Sequence, residues 1–299
     1  NNQMNEIFQV YNILILDLSN YLNKFHKKNY SKKFWEIVIG PWLKIFLGIV
    51  SERYHGLNDA FSKFDINQII LADYEHEDFF VENVGDLEEK ASKNLNGFNN
   101  ILYTKIFEIL NFNCQNIKIK GKKEKEKNLK KKISLKKKFI NSLSIFNLFS
   151  KKINYFIYSS GLKFKEDLIL KFYLKQFPFI FLEPTYSKKK IDINVRKKID
   201  FKKNKIQQTN LEKIARSLIS SLLPTDCLEN FQTLEQKLES LKWPKNPKVI
   251  FTSVGYHNDE IFKLYTANHA EKGSTYIVGQ HGANYFTNKN TVIEPGFDQ

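Results

Sequence analysis

Apolar residues recur at helical spacing from the start of the chain. Ile7, Val10, Tyr11, Leu14 and Leu18 line one face over residues 6–25, which predicts an amphipathic helix. A second helix is predicted to begin at Ser31, whose side chain is suited to accept from the first free backbone amides. Gly40-Pro41 falls within its apolar stretch. A proline there removes a donor and clashes with the preceding turn, so the pattern predicts two helices or one bent helix over 31–54. Residues 66–72 (INQIILA) fit a strand or a short helix equally. Residues 73–90 are acidic and predict a surface helix, and 99–112 predict an amphipathic one.

Further on, the short apolar run FPFIFLEP at 177–184 predicts a buried strand with Glu183 at its end. Residues 188–205 read as basic and irregular. A helix over 209–223 is capped by Thr209 or Asn210 and stopped by Pro224, and another covers 228–241. The clearest pattern comes last. KVIFTS at 248–253 is a strand, DEIFKLYTANHAEKG at 259–273 is a helix with acidic residues at its start and Lys-Gly at its end, and STYIVG at 274–279 is a second strand. Together these make a β-α-β unit with parallel strands. In open α/β sheets ligands sit outside the carboxyl ends of the strands, where Thr252, Ser253 and Gln280-His281-Gly282 fall.

The 299 residues can bury a sizeable core in one large domain or two smaller ones. A net charge of +15 points first to nucleic acid or an anionic membrane. Two details weaken the nucleic-acid reading. Arg53, Arg196 and Arg216 are the only arginines among 47 basic residues, whereas phosphate and base recognition favours the bidentate guanidinium. The charge is also concentrated: residues 118–138 hold 12 Lys and 2 Glu. Abundant Lys, Asn, Ile, Phe and Tyr fit an AT-biased coding sequence, so no specific nucleic-acid partner is expected.

The lysine tract is too poor in apolar residues to offset chain entropy and predicts a mobile insertion or a frayed helix extension. It would also hold the protein loosely on an anionic leaflet, at about 1 kcal/mol per lysine near the surface. The division expected is a mainly helical portion, 1–117, the lysine-rich insertion, 118–138, and an α/β portion, 139–299.

Cys114 and Cys227 match no zinc or redox spacing and provide no disulfide framework, which suits a reducing cytoplasm. His76 between Glu75 and Glu77 reads as a solvated charged face, because three adjacent side chains diverge; no metal site is expected. The apolar stretch 34–50 contains Glu36, Lys44 and Pro41 and falls short of the roughly 20 residues of a membrane span, so it predicts a buried helix. The sequence opens Asn-Asn, has Met4 as its sole methionine and stops at Asp298-Gln299 just after a turn. These features predict an internal segment.

Glycines on either side of His281 let the backbone turn sharply and approach a ligand, with N–H groups able to line an anion-binding concavity. His281 would then project into the cleft, where imidazole can take a proton from a hydroxyl nucleophile or support a departing phosphate. A backbone-bonded turn histidine fits the same spacing. His257, in the loop after the first strand, and the mid-helix His269 are weaker candidates.

Two stretches carry a resemblance. KVIFTS followed by a helix and IVGQHGANY is similar to a family of bacterial surface-carbohydrate transferases with a G-Q-H-G-G-N-Y-G-like segment after a T-S-containing strand. The same family's L-N-x-x-H, S-x-x-x-W and G-P-W-L pattern is matched by Leu22, Asn23, His26, Ser31, Trp35, Gly40, Pro41, Trp42 and Leu43. The likeness is strong at both ends and vague through the middle.

It implies a glycosyltransferase-B-like arrangement of two α/β domains facing a cleft. This chain would be the Rossmann-like, acceptor-side amino-terminal domain, with a helical first portion, and would lack the donor-binding domain and be inactive alone. The implied reaction is an inverting, metal-free sugar transfer without a cofactor. The donor is a nucleotide-activated sugar and the acceptor a surface polysaccharide or lipopolysaccharide, at the cytoplasmic face of the inner membrane. By this resemblance His281 is the general base. Gly279, Gln280, Gly282 and Asn284 shape the loop, and Thr252 and Ser253 line the adjacent strand end. Ala283 and Phe286 depart from the family pattern, and Phe286 narrows the loop. His26 and Trp42 sit in an apolar neighbourhood that predicts packing. The alternative function is a non-catalytic nucleic-acid or membrane-surface binder acting through its lysines.

Overall fold

The computed structural model describes residues 2–75, 79–120, 153–176, 184–186, 190–201 and 208–280. The helices and strands in chain order are α1 (Asn2–His26), α2 (Lys32–Lys63), β1 (Gln68–Asp73), α3 (Val84–Lys93), α4 (Phe98–Leu110), β2 (Gln115–Lys120) and β3 (Tyr155–Ile157). They continue as α5 (Phe164–Tyr173), α6 (Ile193–Lys197), α7 (Asn210–Leu222), α8 (Phe231–Ser240), β4 (Val249–Thr252), α9 (Gly255–Asn258), α10 (Glu260–Ala270) and β5 (Thr275–Val278). The architecture is mixed α/β with a helical amino-terminal portion and two small parallel sheets.

Contacts group the chain into two units, each drawn from three stretches. The first takes residues 1–27, 42–126 and 189–229, and the second takes 28–41, 127–188 and 230–299. This grouping interleaves along the chain, whereas the sequence pattern divides it in series at 117 and 138.

In the first unit, α1 buries all five predicted apolar positions together with Ile15 and Leu22. The α2 helix contributes from Trp42 onward. It begins as expected at Ser31, whose Oγ accepts from the Phe34 amide at 3.2 Å. Of the two forms expected, a single helix is present: it runs through Gly40-Pro41 and on to Lys63, beyond the expected end at 54. Trp35, Val38, Ile39, Trp42, Leu43, Phe46 and Leu47 are buried on either side of the proline. Each contributes about 1.5–3 kcal/mol, which outweighs the roughly 3 kcal/mol cost of one interior proline. By length and composition this helix could cross a membrane, but 72% of its most apolar window is buried inside the protein. That burial fits a core helix.

The undecided run 66–72 becomes strand β1, which pairs in parallel with β2, Gln68 opposite Gln115 and Asp73 opposite Lys120. Lys118–Lys120 are therefore strand residues, which corrects the expectation that the mobile insertion begins at 118. Residues 121–138 lie outside the described residues. The predicted acidic helix is α3, capped by Asn83, whose side chain accepts from the Asp86 amide at 3.0 Å. His76 lies outside the described residues.

Buried ion pairs hold the rest of this unit. Arg216, on α7, donates to Glu212 at 2.7 Å and to Asp17 of α1 at 2.7 Å. Arg196, on α6, donates to Glu229 at 2.7 Å through Nε. Arg53 bonds Asn99 and Glu52. Arg196 and Arg216 are thus committed internally, while Arg53 reaches the exposed carboxylate of Glu52.

The second unit holds the three-stranded parallel sheet in the order β3-β4-β5. The predicted β-α-β unit is present, with Val249 opposite Thr275 and Thr252 opposite Val278. Asp259 caps α10 by accepting from the Phe262 amide at 2.9 Å, and Gly273 leaves the helix end at φ 93°. Strand β3 and helix α5 are additions that the apolar pattern did not predict, and the expected strand at 177–184 lies outside the described residues except for Pro184. Rings fill the space beside the sheet: Tyr158 stacks on Phe262 with centroids 4.6 Å apart, and Trp243 meets Tyr265 at 5.1 Å. The first turns of α2 and the residues just before them join this unit, with Trp35 packed on Phe231 at 5.4 Å and Lys28, ahead of the helix, paired to Glu235 at 2.7 Å.

Candidate functional site

The carboxyl ends of β3, β4 and β5 point the same way, so the segments that follow them gather at one edge of the sheet. Tyr158-Ser159-Ser160-Gly161 follows β3, Ser253-Val254-Gly255 follows β4, and Gly279-Gln280 follows β5. The ladder extends into these segments. The Ser253 amide donates to Ser159 O at 3.0 Å, and the Gly279 amide donates to Thr252 O at 2.7 Å. Thr252, Ser253 and Gly279 are therefore brought together, as the sequence pattern expects.

Thr252 and Ser253 are buried, and both hydroxyls bond backbone. Thr252 Oγ1 accepts from the Gly255 amide at 2.9 Å and so starts the short helix α9. Ser253 Oγ donates to Ser160 O at 2.7 Å and ties the β3 and β4 loops together. A hydroxyl that donates once keeps acceptor capacity, so what these two residues chiefly fix is the shape of the strand ends. Gln280 is exposed one residue beyond Gly279. His281, Gly282 and Asn284 lie outside the described residues.

The reason for glycine at 279 differs from the expected one. Among the described glycines positive φ occurs at 97, 161 and 273, and Gly279 is not one of them. Crowding requires it instead: a Cβ there would lie 2.5 Å from Phe251 Cζ and 2.7 Å from Ser253 Oγ. Replacing Gly279 with alanine is expected to destabilise the protein by about 1–3 kcal/mol through overpacking. Thermal denaturation reads this directly, and an unchanged melting temperature would show that the strand end yields freely.

The sequence pattern missed the loop after β3. Ser159 is a non-glycine residue at φ 47°, and Gly161 follows at φ 75°. Left-handed backbone at a serine costs free energy and is held only where neighbours over-determine it. Here the fixed partners are the Ser253 amide and hydroxyl. The apolar run FIY followed by Ser-Ser-Gly was the available signal.

Behind the strand ends lie buried polar groups. Tyr158 donates its hydroxyl to the Asp259 carboxylate. Lys263 is fully buried and donates to Glu260 at 2.7 Å and to His257 O at 3.3 Å. These contacts fasten the 253–258 segment to α10.

A groove of about 710 Å³ lies elsewhere in this unit, lined by Lys28, Tyr30, Glu235, Trp243 and His269 among others. Its residues 243–246 precede β4, and Asn268, His269 and Lys272 precede β5. The groove therefore belongs to the strand starts, away from the edge where ligands of parallel sheets bind. Burial, with the Lys272 charge adding, pushes His269 down to about 4, so its imidazole is neutral at neutral pH. His26 and Trp42 pack as expected: His26 Nε2 lies 2.9 Å from Cys227 O, and Trp42 stacks on Phe46 at 5.0 Å.

No curated protein and no solved structure matches the chain. A family model does match, over residues 1–296, and it is described as that of the LIC12162 family transferases. The matched span includes the strand-end edge and the loop that follows Gly279. The chain belongs to the LIC12162 family and is a transferase.

Proposed function

We propose that this transferase moves a sugar from a nucleotide-activated donor to a surface polysaccharide or lipopolysaccharide acceptor. The observation that carries this reading is the convergence of Thr252, Ser253 and Gly279 at the carboxyl edge of a parallel sheet, directly before Gln280-His281-Gly282. In the proposed step His281 takes the proton of the acceptor hydroxyl as that oxygen bonds the anomeric carbon. The bond from that carbon to the donor phosphate breaks on the opposite face, its electron pair leaves with the nucleotide, and the configuration inverts. No cofactor takes part.

The sheet edge then forms the acceptor side of a glycosyltransferase-B-like cleft whose facing wall holds the nucleotide. On this reading the protein works in the cytoplasm, at the inner face of the membrane, where a nucleotide-activated donor is at hand. Membership of a transferase family weighs against a purely non-catalytic lysine-driven binder.

The deciding experiment follows nucleotide release from a panel of nucleotide-sugars with lipid-linked and polysaccharide acceptors. Acceptor-dependent release with inversion at the anomeric carbon is expected. Transfer of a different group, with no nucleotide-sugar consumed, would overturn the sugar assignment and leave the family assignment standing.

A further inference from the structure

The groove of about 710 Å³ at the starts of β4 and β5 has the size of a small-molecule pocket. It lies at the opposite edge of the sheet from Thr252, Ser253 and Gly279. The four residues of β4 and of β5 set the two edges about 13 Å apart. A ligand in the groove is therefore held away from the reacting atoms.

Part of the lining is fixed by the protein's own bonds. The Tyr265 hydroxyl donates to Pro244 O at 2.8 Å, and Ser274 Oγ donates to Pro247 O at 2.6 Å, so residues 243–247 are pinned to α10 and to the start of β5. Lys28 Nζ and the Tyr30 hydroxyl both donate to Glu235 Oε1, at 2.7 and 3.1 Å. A lining set in advance loses less freedom when a ligand binds.

Other polar groups there have no such use. His269 is 8% exposed and its ring packs on Tyr265 with centroids 4.4 Å apart, yet neither ring nitrogen bonds a protein group among the described residues. The same holds for Nε1 of Trp243, 7% exposed, and for the side-chain amides of Asn246 and Asn268. Buried polar groups are ordinarily bonded, so these nitrogens call for a partner from outside the chain. The His269 imidazole, neutral at neutral pH, presents one donor and one acceptor.

The lining also selects among ligands. With Lys28 paired to Glu235, Lys245 and Lys272 are set against Glu239. That leaves one net positive charge, little hold for a polyanion such as a nucleotide. Leu238, Leu241 and the Trp243 and Tyr265 rings make the rest apolar. A sugar ring suits both parts, because each hydroxyl donates and accepts while the C–H face is apolar. We propose that this groove binds a saccharide unit of the acceptor chain and keeps a long acceptor on the enzyme. The proposal rests on the sugar-transfer reading above. Tethering of this kind raises the effective concentration of the acceptor's reacting end.

The test uses the full-length protein and oligosaccharides released by mild acid from the cell's own surface polysaccharide and lipopolysaccharide, graded by length. Binding is read by saturation-transfer NMR and transfer by nucleotide release. The wild type is expected to favour long fragments over short ones in kcat/KM. The N246A/N268A variant should keep its melting temperature and bind long fragments about five- to ten-fold more weakly, as for two lost hydrogen bonds, with the length preference falling by the same factor. H269F keeps a ring against Tyr265, removes both nitrogens and should act in the same direction. Unchanged binding in both variants, no binding by the wild type, or a lowered melting temperature in N246A/N268A would overturn the groove assignment and leave sugar transfer standing. If no fragment receives a sugar, the reading beneath it fails, and binding that N246A/N268A weakens would keep the groove as a saccharide site.

Discussion

Replacing His281 with alanine in the full-length protein is expected to lower turnover by about 10²- to 10⁴-fold, the range contributed by a positioned general base, while leaving the melting temperature within a degree or so of wild type. The expectation rests on a division of labour at the end of β5. The ladder places this strand end, because the Gly279 amide is held by Thr252 O at 2.7 Å and Val278 pairs with Thr252. Crowding against Phe251 and Ser253 fixes the backbone at Gly279. With its approach set by the strand, the residue two positions on is free to be chosen for chemistry. A histidine serving only to bond the turn would give the opposite result, a lower melting temperature with turnover falling in proportion to folded protein. Measuring both quantities on one preparation separates the two. Turnover at the wild-type rate would remove His281 from the mechanism.

The strand edge itself was readable because its signals are local. Asp-Glu before an apolar helix, Lys-Gly after it and β-branched runs on either side need only neighbouring residues to be recognised, and α10 starts at its Asp259 cap. The same holds for Thr209, which accepts from the Glu212 amide at 3.2 Å. What escaped is tertiary. Strand β3 has three residues, too few for a periodic pattern, and is defined by its pairing with β4. Strand β2 alternates Ile117 and Ile119 with lysines, but both isoleucines stay about half exposed, so no buried face distinguishes it from a basic loop. Pro41 left one helix or two open because the rule for an isolated helix omits the side chains packed around it. At Gly279 the expected reason, positive φ, does not hold, and the neighbours that exclude a side chain, Phe251 on β4 and Ser253 just after it, could not be read from the local sequence.

Replacing Arg196 with methionine is expected to cost about 3–5 kcal/mol, the range for breaking a buried ion pair from one side. The basic stretch 188–205 gives no hint of this role, because the partner lies 33 residues away. Arg196 is 3% exposed. Its Nε and Nη2 grip the two oxygens of Glu229 at 2.7 and 2.8 Å. Its Nη1 reaches Ser220 O and Ser221 O at 3.2 Å and Leu223 O at 2.9 Å, which satisfies carbonyls that the end of α7 leaves open. The guanidinium plane also lies 5.0 Å from the Phe80 ring centroid. Methionine fills comparable volume but leaves the Glu229 carboxylate and three carbonyls without this donor. Against a total stability of about 5–15 kcal/mol, the loss should appear as a large fall in the denaturant midpoint. The double variant Arg196→Met, Glu229→Met removes the stranded charge as well and should recover much of that loss, since the carbonyls alone cost less than a buried carboxylate. A single variant within about 1 kcal/mol of wild type would mean that water reaches this pair and that the end of α7 is held by packing alone.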